Sequence, residues 1–344
     1  MKGTYRSLSS FNDHIDFFSN DYLGLSTVEI ESASKQFGGT GSRLISGNSD
    51  LKMSSESKIA EFFKGEKALM FNSGFDANLG ILSCLPQKGD TIIYDELIHA
   101  SIRDGVRLSF AQSLSFKHND IIDLEKKIKR ATGTIYVVIE ALYSMDGDLG
   151  LLKEIDSLCN EFGANLIVDE AHSSGVYGEH GKGLVFEYGL TESVFARIIT
   201  FGKAYGSHGA CILGSELLIE YLINFARSFI YTTALPDNVF ERNSQIISSH
   251  QIPNKITALK ERIRHFRQAF DVNYSDENSP IQIVYFKNQE DVISKSKEMQ
   301  NAKIAIKAIL APTVPFGKER IRVCIHSFNT IAEIDYLISF LKRD

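Results

Sequence analysis

The 344-residue chain has only four cysteines, Cys84, Cys159, Cys211 and Cys324, and they are scattered. With no CxxC pair and no histidine cluster at metal-ligand spacing, neither a disulfide framework nor a metal site is expected. The thiols read as small core residues in a reducing compartment. No stretch approaches the roughly 20 apolar residues that a membrane-spanning helix needs. The first residues, "MKGTYRSLSSFNDHIDFF", lack the apolar centre of a secretory signal, so the cytoplasm is the expected location. An excess of positive charge is missing too: 37 Lys and Arg stand against 43 Asp and Glu, a formal net charge of -6. That balance gives no reason to expect nucleic acid or an anionic membrane as a partner. The densest basic cluster, "EKKIKR" at 125–130, reads as the solvated face of a helix. Internal repeats and low-complexity tracts are also lacking.

What is present suits a folded α/β protein. Apolar residues make up 43% of the chain and charged residues 23%, ordinary globular values, and the length allows a large core and two domains. Between about residues 55 and 235, short Val/Ile/Leu runs such as "TIYVVIEAL", "NLIVDEAH" and "ARIITFG" alternate with amphipathic helical segments. Runs without polar alternation suit strands buried on both faces, as in a large, mostly parallel sheet wrapped by helices. "HQIPNKI", near 250–256, breaks a helical stretch; helix, "PIQIVYF", helix, "ERIRVCIH" and a last helix follow. The expected division is an N-terminal segment 1–50, a large domain 51–250 and a small α+β domain 251–344.

In open α/β sheets ligands bind at the carboxyl ends of the strands, and four polar motifs fall at such ends. "FNSGFDAN" opens a helix at Ser73, Gly74 and Phe75, whose free N–H groups could hold a phosphate or could form an ordinary Ser-capped turn. "DELIHAS" places His99 after a strand, either against a planar ligand or as a satisfied core histidine. "LIVDEAHSSG" ends a buried strand on Asp169, with His172 three residues on; a carboxylate there needs a cation or several hydrogen bonds. "ALYSMDGD" adds the hydroxyl of Ser144. "IITFGKAYGSHGA" sets Lys203 among glycines, three residues after Thr200, as a solvated loop lysine or as a nucleophilic amine. One cofactor uses all of these groups: pyridoxal phosphate needs an amine for its aldehyde, an acid facing its ring nitrogen, a phosphate cup and a group against the ring.

With "DFFSNDYLGLS", "GGTGSRLISGNS", "NSGFDAN", "HAS", "YSMDGD", "VDEAHSSGVYGEHGKG", "TFGKAYG", "FARSFIYTTALP" and "APTVPFGKERIRV" spread along it, nearly the whole chain resembles the α-oxoamine synthases. These are fold-type I pyridoxal phosphate enzymes that join an amino acid to an acyl thioester and release carbon dioxide. "TFGK" and "FAR..IY.T..P" resemble the branch that uses L-alanine and a pimeloyl thioester, on coenzyme A or a carrier protein, in biotin biosynthesis. The resemblance implies that Lys203 bonds the cofactor's aldehyde and later removes the Cα proton. Asp169 would pair with the ring nitrogen and His99 would stack on the ring. Ser144 and His172 would meet the phenolic oxygen or the substrate. Ser73, Gly74, Phe75 and Thr200 match positions near the phosphate. Thr233 matches one reaching over from a second subunit, since members are homodimers with shared sites. Arg322 would bind the amino-acid carboxylate, Asn20 would line the substrate site, and Arg6 is the one arginine before "DFFSNDYLG" that could meet substrate. Lys52 and His208 depart from the family pattern, and the segment before "DFFSNDYLG" is short. Sister enzymes using glycine with acetyl-CoA or serine with long acyl chains, a plain aminotransferase and a non-catalytic relative are the alternatives.

Overall fold

A computed structural model describes residues 8–30, 34, 37–270 and 274–342. The first half of the chain runs β1 (Ile15–Asp16), α1 (Asp50–Phe63), β2 (Lys67–Phe71), α2 (Gly74–Cys84), β3 (Thr91–Asp95), α3 (Ala100–Leu108), β4 (Gln112–Phe116), α4 (Ile121–Ile128), β5 (Ile135–Glu140) and α5 (Leu152–Phe162). It continues with β6 (Asn165–Asp169), α6 (Leu184–Glu187), β7 (Ala196–Thr200), β8 (Ala210–Gly214), α7 (Glu216–Phe225), α8 (Arg227–Ile230) and α9 (Asp237–Ile246). The last part holds α10 (Ile252–Ala269), β9 (Ile281–Tyr285), α11 (Gln289–Asn301), β10 (Ile304–Ala305), β11 (Ala308–Ile309), β12 (Arg320–Cys324) and α12 (Ile331–Leu341).

Two compact units result, one of residues 25–143 with 149–253 and the other of residues up to Gly24, 144–148 and 254 onward. The larger unit is built on a seven-stranded sheet in the order β2-β8-β7-β6-β5-β3-β4. Only β8 runs against the rest: it is antiparallel to both β2 and β7, whereas the other neighbours pair in parallel. Val137, Val138, Ile139, Ile167, Val168, Ile198 and Ile199 have no exposed surface, as strands covered on both faces require. Each such side chain contributes about 1.5–3 kcal/mol of burial. Register lines up the strand ends: Glu140 of β5 pairs with Asp169 of β6, and Asp169 with Ile198 of β7.

The smaller unit carries the three-stranded antiparallel sheet β11-β12-β9, with β1 and β10 paired in parallel beside it. The sequence expectation set residues 1–50 apart as an N-terminal segment, whereas residues 8–24 belong to this unit and residues from Leu25 on to the larger one. Residues 15–16 add a strand to Ile304–Ala305, and the Cys324 N–H donates to the Phe17 carbonyl at 2.8 Å. Residues 144–148 join the same unit, through bonds such as Ser275 Oγ–H to the Asp146 carbonyl at 2.7 Å. The chain passes between units at Pro253, inside the "HQIPNKI" break, where proline suits the first turn of α10.

All four cysteines are free, and Cys159, Cys211 and Cys324 are buried. Among the described residues no helix is long and apolar enough to cross a membrane, and no group of three or more His, Cys, Asp or Glu is placed to hold a metal ion. Lys52, one of the two departures, is a buried structural residue. Its ammonium pairs with Asp237 at 3.3 Å, lies 5.5 Å from the Phe240 ring centre and donates to the Gly47 carbonyl. His208 is exposed, and its carbonyl accepts from Asn243 Nδ2 at 2.9 Å.

Candidate active site

At the carboxyl ends of β3, β5, β6 and β7 the larger unit has a cavity of about 150 Å³ lined by Gly74, Phe75, Asn78, His99, Ser101, Glu140, Asp169, Ala171, His172, Thr200 and Lys203. Seven of the residues singled out in the sequence thus come together in one place. Helix α2 starts there because Ser73, in extended conformation, caps it by accepting from the Asp76 N–H. The β2–α2 turn brings Gly74 beside Thr200, since a Cβ on Gly74 would lie 3.9 Å from the Thr200 side chain. Free N–H groups at a helix start beside a threonine hydroxyl suit a phosphate. Asn72, one residue earlier, donates to Thr232 Oγ1 at 2.9 Å and to the Thr233 carbonyl at 3.0 Å; Thr233 is exposed and is not among the residues lining this cavity.

Lys203 sits in the turn between β7 and β8. The turn is closed by bonds from the Phe201 N–H to the Gly209 carbonyl and from the Ser207 N–H to the Phe201 carbonyl, at 2.9 and 2.8 Å. Gly206 has φ +56° and lies so close to residues 25–26 that a Cβ would stand 2.0 Å from the Ser26 nitrogen. Only glycine satisfies both demands, which accounts for the glycine three residues after the lysine. Lys203 Nζ is 2.6 Å from His172 Nε2.

Asp169 ends β6 with both oxygens engaged: Oδ1 accepts from the Ala171 N–H at 2.9 Å and Oδ2 from Asn78 Nδ2 at 2.7 Å. The loop that follows hangs on Glu170, which is wholly buried. Its carboxylate takes Arg197 Nε at 2.7 Å, the Val185 N–H at 3.0 Å and the Ser173 hydroxyl at 3.0 Å. Arg197 also donates to the carbonyls of Phe63 and Lys182, at 2.7 and 2.8 Å, so the buried pair is fully hydrogen-bonded. His99 caps α3. Burial chiefly lowers its pKa, the Asp169 carboxylate raises it, Lys203 lowers it and Asp104 raises it, leaving it below the ordinary histidine value.

Sequence reasoning did not find Asn78, Ser101 and Glu140 in the lining or the Glu170–Arg197 anchor. The charged Arg197 inside the apolar run "ARIIT" was the one available signal.

Asn20, Ser144 and Arg322 lie in the smaller unit. The Arg322 guanidinium is buried, and it donates from Nε to the Ser144 carbonyl at 2.7 Å and from Nη2 to Asn20 Oδ1 at 3.0 Å and Tyr22 Oη at 3.3 Å. No ion pair involves it among the described residues. Arg6 lies outside the described residues.

The residues lining the cavity fit pyridoxal phosphate by their chemistry. An amine, a carboxylate with lone pairs left for a ring N–H, an imidazole and a helix start for phosphate share one cavity.

A family model, "Aminotransferase class I and II", matches residues 12–341. An 8-amino-7-oxononanoate synthase of Emericella nidulans is 38% identical over 94% of this chain and 87% of that protein. A serine palmitoyltransferase from S. paucimobilis, solved with a bound PLP–myriocin aldimine, superposes with a TM-score of 0.89 at 27% identity, covering 95% of this chain and 86% of that one. The crystal structure of 8-amino-7-oxononanoate synthase from Francisella tularensis gives 0.80 at 30% identity, over 95% and 96%. The fold-type I architecture and the resemblance to the α-oxoamine synthases are thereby borne out. The chain belongs to the aminotransferase class I and II family.

Proposed function

We propose that this chain is a pyridoxal phosphate enzyme that condenses L-alanine with a pimeloyl thioester, releasing the thiol carrier and carbon dioxide and giving 8-amino-7-oxononanoate for biotin synthesis. The observation that carries the reading is the meeting of Lys203, Asp169, His99 and the α2 start in one cavity. Relatives named for this reaction, matched over nearly the full chain, support the choice of substrates. When bound, the cofactor supplies an electron sink for negative charge at the amino acid's Cα.

The chain's own residues do the rest. Lys203 Nζ is the amine that would hold the cofactor's aldehyde and would act as the base for the Cα proton. His172 Nε2, 2.6 Å away, is placed to share that proton and to donate to the acyl oxygen. Asp169 keeps a proton on the ring nitrogen, since its two held oxygens present a fixed negative edge. His99 covers one ring face. The α2 N–H groups and Thr200 take the phosphate, with Ser73, Gly74 and Phe75 forming the cup. Arg322, buried with no carboxylate partner among the described residues, takes the alanine carboxylate through its positive charge and the one Nη1 hydrogen left beside the bond to Cys324 Sγ at 2.9 Å. Asn20 and Tyr22 orient the guanidinium, and the Ser144 hydroxyl is assigned to the phenolic oxygen. A homodimer in which Thr233 serves the partner's phosphate, acting in the cytoplasm, completes the reading. Arg6 is proposed to meet substrate.

Likeness to serine palmitoyltransferase favours a second reading, acyl transfer to serine. Thiol release from pimeloyl-CoA, followed with alanine, glycine and serine in parallel, separates the two. Release with alanine and a product of the amino ketone's mass are expected; release with serine or glycine alone would overturn the choice of substrate.

A further inference from the structure

Asn78 and Ser101 are two buried residues of the cavity that no step above uses. Asn78 is 2% exposed and Ser101 not at all. Asn78 Nδ2 donates both its hydrogens, one to Asp169 Oδ2 at 2.7 Å and one to Ser101 Oγ at 3.0 Å. Ser101 Oγ then lies 2.8 Å from His99 Nδ1, and the Ser101 backbone N–H donates to that same nitrogen at 3.2 Å.

Directions follow by counting protons. The Asn78 amide can only donate through Nδ2, so Ser101 Oγ accepts there and turns its own hydrogen to His99 Nδ1. A backbone N–H cannot accept, so Nδ1 faces two donors. It must carry a lone pair, which leaves the imidazole proton on Nε2. The geometry also opposes a second proton: an N–H at Nδ1 would confront the backbone N–H of Ser101 and cost two hydrogen bonds. As the cap of the nine-residue α3, the ring further sits at the positive end of a helix dipole, which disfavours an imidazolium.

We propose that Asn78 and Ser101 are positioning residues that hold His99 as a neutral imidazole with its proton on Nε2 and tie the plane of that ring to the Asp169 carboxylate. The chain runs from β6 through α2 to α3, so the acid that faces the cofactor's ring nitrogen and the ring that covers its face are set by one buried row of bonds. A neutral ring in that place avoids setting a cation against a protonated pyridine. The charged groups that act on His99 are Asp169, Lys203 and Asp104, and Glu140 of β5 and His172 line the same cavity. The two carboxylates favour an imidazolium, whereas burial and the lysine oppose it. The hydrogen-bond chain adds to the second side.

The role toward the cofactor rests on the function proposed above, but the bonding pattern is a property of the protein alone. Its test is nitrogen-15 NMR on full-length protein labelled at histidine, without added cofactor or substrate, with His99→Asn assigning the signal among the nine histidines. The wild type should show one neutral tautomer with Nδ1 unprotonated and a titration midpoint below the ordinary histidine value. Ser101→Ala, which removes one donor to Nδ1, should raise the midpoint by about one pH unit. Asn78→Leu frees the Ser101 hydroxyl to turn and should give a mixture of tautomers. A wild-type ring protonated on Nδ1, or charged at neutral pH, would overturn the proposal, as would an unchanged midpoint in Ser101→Ala. If Asn78→Leu fails to fold, Ser101→Ala decides alone. Failure of thiol release leaves this measurement standing, so the two claims fall separately.

Discussion

Replacing Arg197 by methionine should show how the site is held from beneath. The substitution keeps much of the side chain's volume but removes the cation paired with Glu170 and the donors to the Phe63 and Lys182 carbonyls. Glu170 has no exposed surface and would keep only the Val185 N–H and the Ser173 hydroxyl. Breaking a buried ion pair from one side costs about 3–5 kcal/mol. Unfolding entropy scales to about 0.7 kcal/mol per kelvin for a chain of 344 residues, so the melting temperature should fall by roughly 4–7 °C. Asp169 precedes Glu170 directly and His172 follows it by two residues, so bound cofactor, read by its absorbance, should weaken in parallel. Scanning calorimetry supplies the first number. Adding Glu170→Gln removes the stranded charge and should recover part of the loss. A single variant that melts within about 1 °C of wild type, or a double variant whose loss is the plain sum, would refute the reasoning.

Other expectations follow from the same geometry. Gly206→Ala forces a left-handed φ on alanine and a Cβ into the Ser26 backbone, so it should destabilise by more than about 2 kcal/mol and loosen the Lys203 turn; a melting curve equal to wild type would count against it. Arg322→Lys loses the planar fork, and the KM for alanine should rise about tenfold or more with a smaller change in kcat, as steady-state kinetics will show. Burial pushes the thiols of Cys84 and Cys159 up to about 12 and raises those of Cys211 and Cys324. At pH 8 the thiolate fraction of Cys84 and Cys159 is then about 10⁻⁴, so iodoacetamide should label the native protein slowly and all four cysteines after denaturation. Mass spectrometry counts the labels.

Much of this site could be read from the sequence because its chief groups are local. Lys203, Asp169, His99 and the Ser73 helix start each lie at or within four residues of a strand's end, and a parallel sheet gathers such ends on one side. What escaped the sequence depends on distant partners. Asn78 meets Asp169 across 91 residues, and nothing in "NSGFDAN" shows where its amide points. Arg197 finds Glu170 27 residues away. The pairing of residues 15–16 with 304–305 is two residues long, too short for any periodicity to announce. Residues 8–24 and 144–148 likewise read as parts of other segments, although they belong to the unit that holds the C-terminal elements.

The central claim is that Lys203 is the amine that holds the cofactor. Borohydride reduction of the pyridoxal phosphate-loaded protein fixes the cofactor to whichever amine carries it, and peptide mass spectrometry then finds the residue. The account predicts a single phosphopyridoxyl group on Lys203, lost in Lys203→Ala together with a fall in turnover of at least about 10³-fold. Label on another lysine, or an active Lys203→Ala enzyme, would contradict it.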